Sequence, residues 1–177
     1  MVYIFSDGAR KGDSEKKNGS IGSVLVSPCG VPGEFISEEV PWEWMQVFLE
    51  GSSHPISELE LLPVWISLVE WEGHLDNSQC VFYLDNEAAR VSLINGSSSQ
   101  TKGAQLVRAF VWTEMKIRVK VWFARVPISS HIAGDSSRLQ VKELESRNIR
   151  RRNIHWKTLL AKMRKEGSIT WGFKTGS

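Results

Sequence analysis

Two short apolar runs, VYIF at residues 2–5 and CVFYL at residues 80–84, are each followed within two residues by an aspartate, Asp7 and Asp85. Apolar runs this brief, bounded by turn residues, read as buried strands that stop where the chain leaves the sheet. A carboxylate at the end of a buried strand must be solvated, paired or bound to a cation. Taken singly, each aspartate is a turn or cap residue, and Asp85 is placed to cap a following helix. If the two strands are parallel neighbours, both carboxylates open onto the crevice beyond the strand ends, where open α/β sheets take their ligands.

The rest of the chain supplies the elements such a sheet needs. A polar stretch over residues 9–19 reads as a hairpin loop, and IGSVLV at residues 21–26 as the second strand. Ser27-Pro28-Cys29-Gly30 is a turn. A third strand falls between residues 33 and 49, where Trp42, Trp44, Met45, Val47 and Phe48 leave its register open. Residues 57–71 predict a helix: Ser57 with Glu60 matches a capping box, and Leu61, Leu62, Trp65, Leu68, Val69 and Trp71 recur at helical spacing. Pro63 asks for a later start or a kinked first turn. After the strand at 80–84 come a short helix over 86–94, a helix over 102–115 and an alternating strand over 118–126. A helix over 136–147 and a basic amphipathic helix over 153–165 complete the chain, the latter carrying Ile154, Trp156, Leu159, Leu160 and Met163. The order predicts an α/β fold with a five-stranded mixed sheet: a three-strand antiparallel meander plus parallel strands, flanked by helices.

Two further acids join Asp7 and Asp85. Glu60 lies between leucines one turn into the first helix, badly placed for a wholly solvated residue, with Glu58 as its rival. Asp135 follows the last strand at the start of a helix, where a plain N-cap is the alternative. Four carboxylates converging on one site repel one another and require cations, and hard oxygen ligands select Mg²⁺, with Mn²⁺ as substitute. Two such ions about 4 Å apart suit phosphodiester cleavage.

These pieces, taken in order, resemble the ribonuclease H family, and more narrowly the ribonuclease H domains attached to retroelement reverse transcriptases. The matching residues are Ser6-Asp7-Gly8; Ile56-Ser57-Glu58-Leu59-Glu60-Leu61-Leu62-Pro63-Val64, similar to a family "ELLAV" helix; Tyr83-Leu84-Asp85-Asn86-Glu87-Ala88-Ala89, similar to "TDNxAA"; and Arg125-Val126-Pro127 through His131 to Asp135-Ser136-Ser137-Arg138, similar to "xVPxHxNxADxxSR". Pro63 replaces the usual small residue, and Arg138 is one position closer to Asp135 than the pattern has it. The resemblance implies a ribonuclease H-like domain over residues 1–140 and a basic helical extension over 141–177 packed on it. It implies Asp7, Glu60, Asp85 and Asp135 as metal-binding catalytic acids, two Mg²⁺ ions, and His131 as a loop residue aiding proton transfer or product release. The implied activity is endonucleolytic hydrolysis of the RNA strand of RNA/DNA hybrids, recognised through the wide minor groove and 2′-hydroxyls. Gly8, Ser57 and Asn86 then fall along the sugar–phosphate edge, and Arg138, Arg150, Arg151, Arg152 and Lys157 in a phosphate grip.

Charge fits a polyanion partner. The chain has 22 basic and 20 acidic residues, a net +2. Residues 1–137 hold 11 basic and 17 acidic side chains, −6, whereas residues 138–177 hold 11 basic and 3 acidic, +8. Clustered cations bind phosphate chains by counterion release. Two cysteines, Cys29 and Cys80, are too few for a disulfide scaffold. The start lacks a signal-peptide pattern, and no apolar run approaches the roughly 20 residues of a membrane span, so an intracellular protein, cytoplasmic or nuclear, is expected. The alternatives are a transposase or integrase core, which lacks the first-helix glutamate and ends on a late-helix acid, usually Glu, and an inactive ribonuclease H-like scaffold in a ribonucleoprotein or polymerase. A reverse transcriptase or larger polyprotein is the expected molecular context.

Overall fold

The computed structural model describes residues 1–10, 18–51, 55–126, 132–138 and 140–166. Strands β1 (Val2–Arg10), β2 (Gly19–Val26) and β3 (Pro32–Glu39) form the antiparallel meander. Strand β4 (Gln79–Leu84) lies parallel to β1, and β5 (Lys120–Arg125) parallel to β4. A sixth strand, β6 (Arg150–Arg151), runs parallel to the outer side of β3, giving the order β5-β4-β1-β2-β3-β6. The sheet thus has six strands rather than five. Two consecutive arginines carry no periodicity that marks a strand, and only the waiting edge of β3 makes them one.

Strand β1 does not stop before Asp7. It continues to Arg10 because β2 pairs with it along that whole length, from Tyr3↔Val26 to Arg10↔Gly19. Its parallel pairing with β4 ends earlier, at Phe5↔Tyr83. Asp7 and Asp85 therefore each stand two residues beyond the last parallel pair and, by the two-residue period of a strand, on one face of the sheet.

Helix α1 (Trp42–Gly51) takes up the segment whose register was open, after β3 has ended. Helix α2 (Ile56–Glu70) follows, but the expected capping box does not form: its N-cap is Pro55, with no side-chain cap bond. Then come α3 (Glu72–Leu75), α4 (Glu87–Asn95) and α5 (Thr101–Ile117). The single helix expected over 136–147 is instead two, α6 (Ala133–Ser137) and α7 (Lys142–Ser146), ahead of α8 (Trp156–Glu166). The break lets Val141 and Leu144 turn onto the sheet separately from Ala133.

The sheet has a core on each face. The larger gathers Ile4, Ile21, Phe82, Phe48, Leu62, Trp65, Phe110 and Met163, all but fully buried, from the sheet and helices α1, α2, α5 and α8. The smaller gathers Val24, Val26, Phe35, Ala133 and Ile149, with Tyr3 and Phe5 packed against it. Ile4 faces one core and Phe5 the other, the alternation a central strand imposes. Helix α2 crosses β1 closely enough that a Cβ on Gly8 would stand 2.2 Å from the Leu59 carbonyl oxygen. Pro63 has no N–H to offer that same carbonyl, four residues back. No helix among the described residues is long and apolar enough to cross a membrane.

Candidate metal centre at the end of the parallel strands

Parallel pairing of β1 and β4 brings Asp7 and Asp85 side by side, and α2 delivers Glu60 across the strand ends. One carboxylate oxygen from each of Asp7, Glu60 and Asp85 lies within 4.8 Å of the other two. Asp7 and Glu60 are buried, and Asp85 is half-buried at the mouth. The backbone N–H of Gly8 donates to Glu60 Oε2 at 3.3 Å, a bond that needs the close approach only glycine permits here. On the Asp7 side, the buried Ser137 hydroxyl donates to Asp7 Oδ2 at 2.5 Å. Beneath the two aspartates, on the same face, Phe5 and Tyr83 stack with ring centroids 4.6 Å apart.

The electrostatics follow from this crowding. Burial pushes Glu60 up to about 9 from its ordinary 4.5, and the charges of Asp7 and Asp85 push the same way, against the Gly8 hydrogen bond. Without a cation, Glu60 therefore holds a proton at neutral pH. Among the described residues the donor set is three carboxylates, which suits a hard divalent ion of the Mg²⁺ type. Asp7, Glu60 and Asp85 would share the charge of such an ion, which would offset their mutual repulsion and replace the proton on Glu60.

Other residues expected at the site are placed variously. Asn86 caps α4, accepting from the Ala89 N–H at 2.9 Å, directly after Asp85. Ser57 is half-buried in the first turn of α2. Arg138 is exposed at the end of α6, where its guanidinium and the Asp7 carboxylate flank Gly134. His131 lies outside the described residues; Asp135 belongs to α6, but its side chain also lies outside them. Arg150, Arg151 and Arg152 are not gathered at the acids. The register Ile4↔Leu25↔Glu34↔Arg150 sets β6 three strands from β1 and three residues below Asp7, roughly 17 Å away at sheet spacings. Arg150 pairs with the buried Glu34, Arg151 donates to the Ser37 carbonyl, and Arg152 meets Glu70 at 3.2 Å. Lys157 is exposed on α8. The sequence carries Ser137 only as part of the Asp135-Ser136-Ser137-Arg138 match, with no role of its own assigned to it.

No protein-family model and no curated protein matches the sequence significantly. Solved structures do match. The ribonuclease H1 of the halophilic archaeon Halobacterium salinarum NRC-1 is 12% identical with a TM-score of 0.60, over 80% of this chain and 98% of that one. The compost-metagenome LC11-RNase H1, solved in complex with an RNA/DNA hybrid, is 12% identical with a TM-score of 0.63, over 82% of this chain and 99% of that one. The N-terminal RNase H domain of a Mycobacterium tuberculosis protein is 11% identical with a TM-score of 0.55, over 77% of this chain and 94% of that one. At such identities the likeness is one of fold: the chain has the ribonuclease H fold.

Proposed function

We propose that this chain is a divalent-metal-dependent endonuclease that hydrolyses the RNA strand of RNA/DNA hybrids. The observation that carries the reading is the convergence of Asp7, Glu60 and Asp85, from two neighbouring parallel strands and the helix crossing them, in a ribonuclease H fold. Asp7, Glu60 and Asp85 would hold Mg²⁺, with Asp135 completing the set and two ions at full occupancy. When bound, the metal supplies Lewis-acid stabilisation of phosphate oxygens and activates water. The chain's own residues then do the positioning. Gly8 orients Glu60 through its N–H, and α4, capped by Asn86 directly after Asp85, presents backbone N–H groups at its start to an anionic strand.

Gly8, Ser57 and Asn86 line the sugar–phosphate edge in this reading, His131 assists proton transfer or product release, and Arg138, across Gly134 from the Asp7 carboxylate, meets a phosphate. The arginines of β6 and Lys157 are a second, remote phosphate contact. The reading as a domain attached to a retroelement reverse transcriptase rests on the motif resemblance alone. Labelled RNA/DNA hybrid, double-stranded RNA and DNA duplex, each incubated with Mg²⁺, Mn²⁺ or chelator, test the proposal. Cleavage of the hybrid's RNA strand only, and only with metal, is expected. No cleavage of any substrate would favour a non-catalytic scaffold.

A further inference from the structure

We propose that Ser137 is a positioning residue that holds the Asp7 carboxylate in the one orientation from which it meets a cation; this rests on the metal-centre reading of Asp7, Glu60 and Asp85. Ser137 is fully buried at the last residue of α6, and its hydroxyl oxygen lies 2.5 Å from Asp7 Oδ2 and 2.9 Å from the Gly134 carbonyl. A hydroxyl has one proton to give. The Gly134 carbonyl already accepts the Arg138 N–H at 3.2 Å. The carboxylate is the charged and nearer acceptor, so the proton points at Asp7.

The serine is itself held. Ser20 on β2, also buried, donates its hydroxyl to the Ser137 carbonyl, so the end of α6 is tied to β2 while its side chain is tied to β1. Asp7 is the attachment on β1, opposite Gly22, two register positions from Ser20 in the same hairpin. With Oδ2 engaged, rotation of the carboxylate is stopped, and ordering that a binding cation would otherwise have to impose is already done. Hydrogen-bonded partners of metal ligands act in this way, and losing one typically costs about 10- to 100-fold in affinity or activity.

The test is Mn²⁺ binding measured by electron paramagnetic resonance of the free ion, without substrate, on the full chain. Near-ultraviolet circular dichroism and melting report folding in parallel. The Ser137→Ala variant is expected to fold and to bind Mn²⁺ roughly 10-fold more weakly than the wild type. Ser137→Cys, close in volume with a poor donor, is expected to weaken binding too, and provides the measurement if the alanine variant does not fold. Ser137→Thr, which keeps the hydroxyl, is expected to restore most of the affinity. A folded Ser137→Ala or Ser137→Cys protein with wild-type affinity overturns the role of Ser137 while leaving the metal centre standing. A folded Ser137→Thr protein as weak as the alanine variant overturns it as well. A wild-type protein that binds no Mn²⁺ overturns the metal-centre reading first, and the two failures are thereby told apart.

Discussion

Burying Glu60 beside two aspartates sets a pH dependence that the cation-free protein must carry. Its folded value of about 9 lies above its ordinary 4.5, so the folded state holds a proton that the unfolded state releases between those limits. Stability from this group is complete below about pH 4.5 and is lost as pH rises towards 9. Melting temperature in chelator is therefore expected to fall across that window, and Glu60→Gln should remove this part of the decline. Mg²⁺ should raise melting most at the alkaline end, where the proton no longer competes. Asp85 calls for a different measurement. Asp85→Asn removes one donor and one of the charges repelling Glu60. Metal-dependent cleavage is expected to drop by at least roughly 100-fold, with the melting temperature in chelator unchanged or raised. Undiminished cleavage would exclude Asp85 from the reaction.

At the scale of elements, the contact between β1 and α2 decides whether the acids meet. A methyl group at position 8 would stand 2.2 Å from the Leu59 carbonyl oxygen and 2.9 Å from the Glu60 nitrogen, both backbone atoms that cannot rotate aside. Gly8→Ala should cost roughly 1–3 kcal/mol in denaturant unfolding and weaken cation binding by moving α2. Between α2 and α5, the buried Trp65 indole N–H donates to Thr113 Oγ1 at 3.2 Å. Thr113→Val keeps the shape and strands that donor, an expected loss of about 1–3 kcal/mol without effect on cation affinity. Much of this was legible in sequence. Asp7 and Asp85 announced themselves because apolar runs ended beside them, and Glu60 because leucines flanked it. Ser57 and Glu60 misled as a capping box, because Glu60 is drawn to Gly8 by a contact 52 residues away in the chain. The contact of Ser137 with Asp7 was hidden for the same reason: the two are 130 residues apart, and local spacing says nothing of such pairs.

For the whole molecule, the division into an acidic body and a basic end describes the chain better than it describes the surface. Part of the basic end is spent on internal ties. Burial would raise Glu34, but hydrogen bonds from Arg150 and the Trp71 indole, with the charges of Arg150 and Arg152, more than offset this and hold it below its ordinary 4.5. The sign is opposite to that of Glu60: this stability is present above pH 4.5 and lost as pH falls through the lowered value. Acid melts of Glu34→Gln should show a shallower decline below pH 4.5 than the wild type. The same ties have a consequence for self-association. An outer strand offers its unpaired backbone to any strand that arrives, and cations along it are a common safeguard. Here β6 ends the sheet after two arginines, and β5, at the other margin, exposes Lys120 and Arg125. A second copy of the chain would bring the same Lys120 and Arg125 charges to the β5 margin, so pairing of two sheets edge to edge there is opposed.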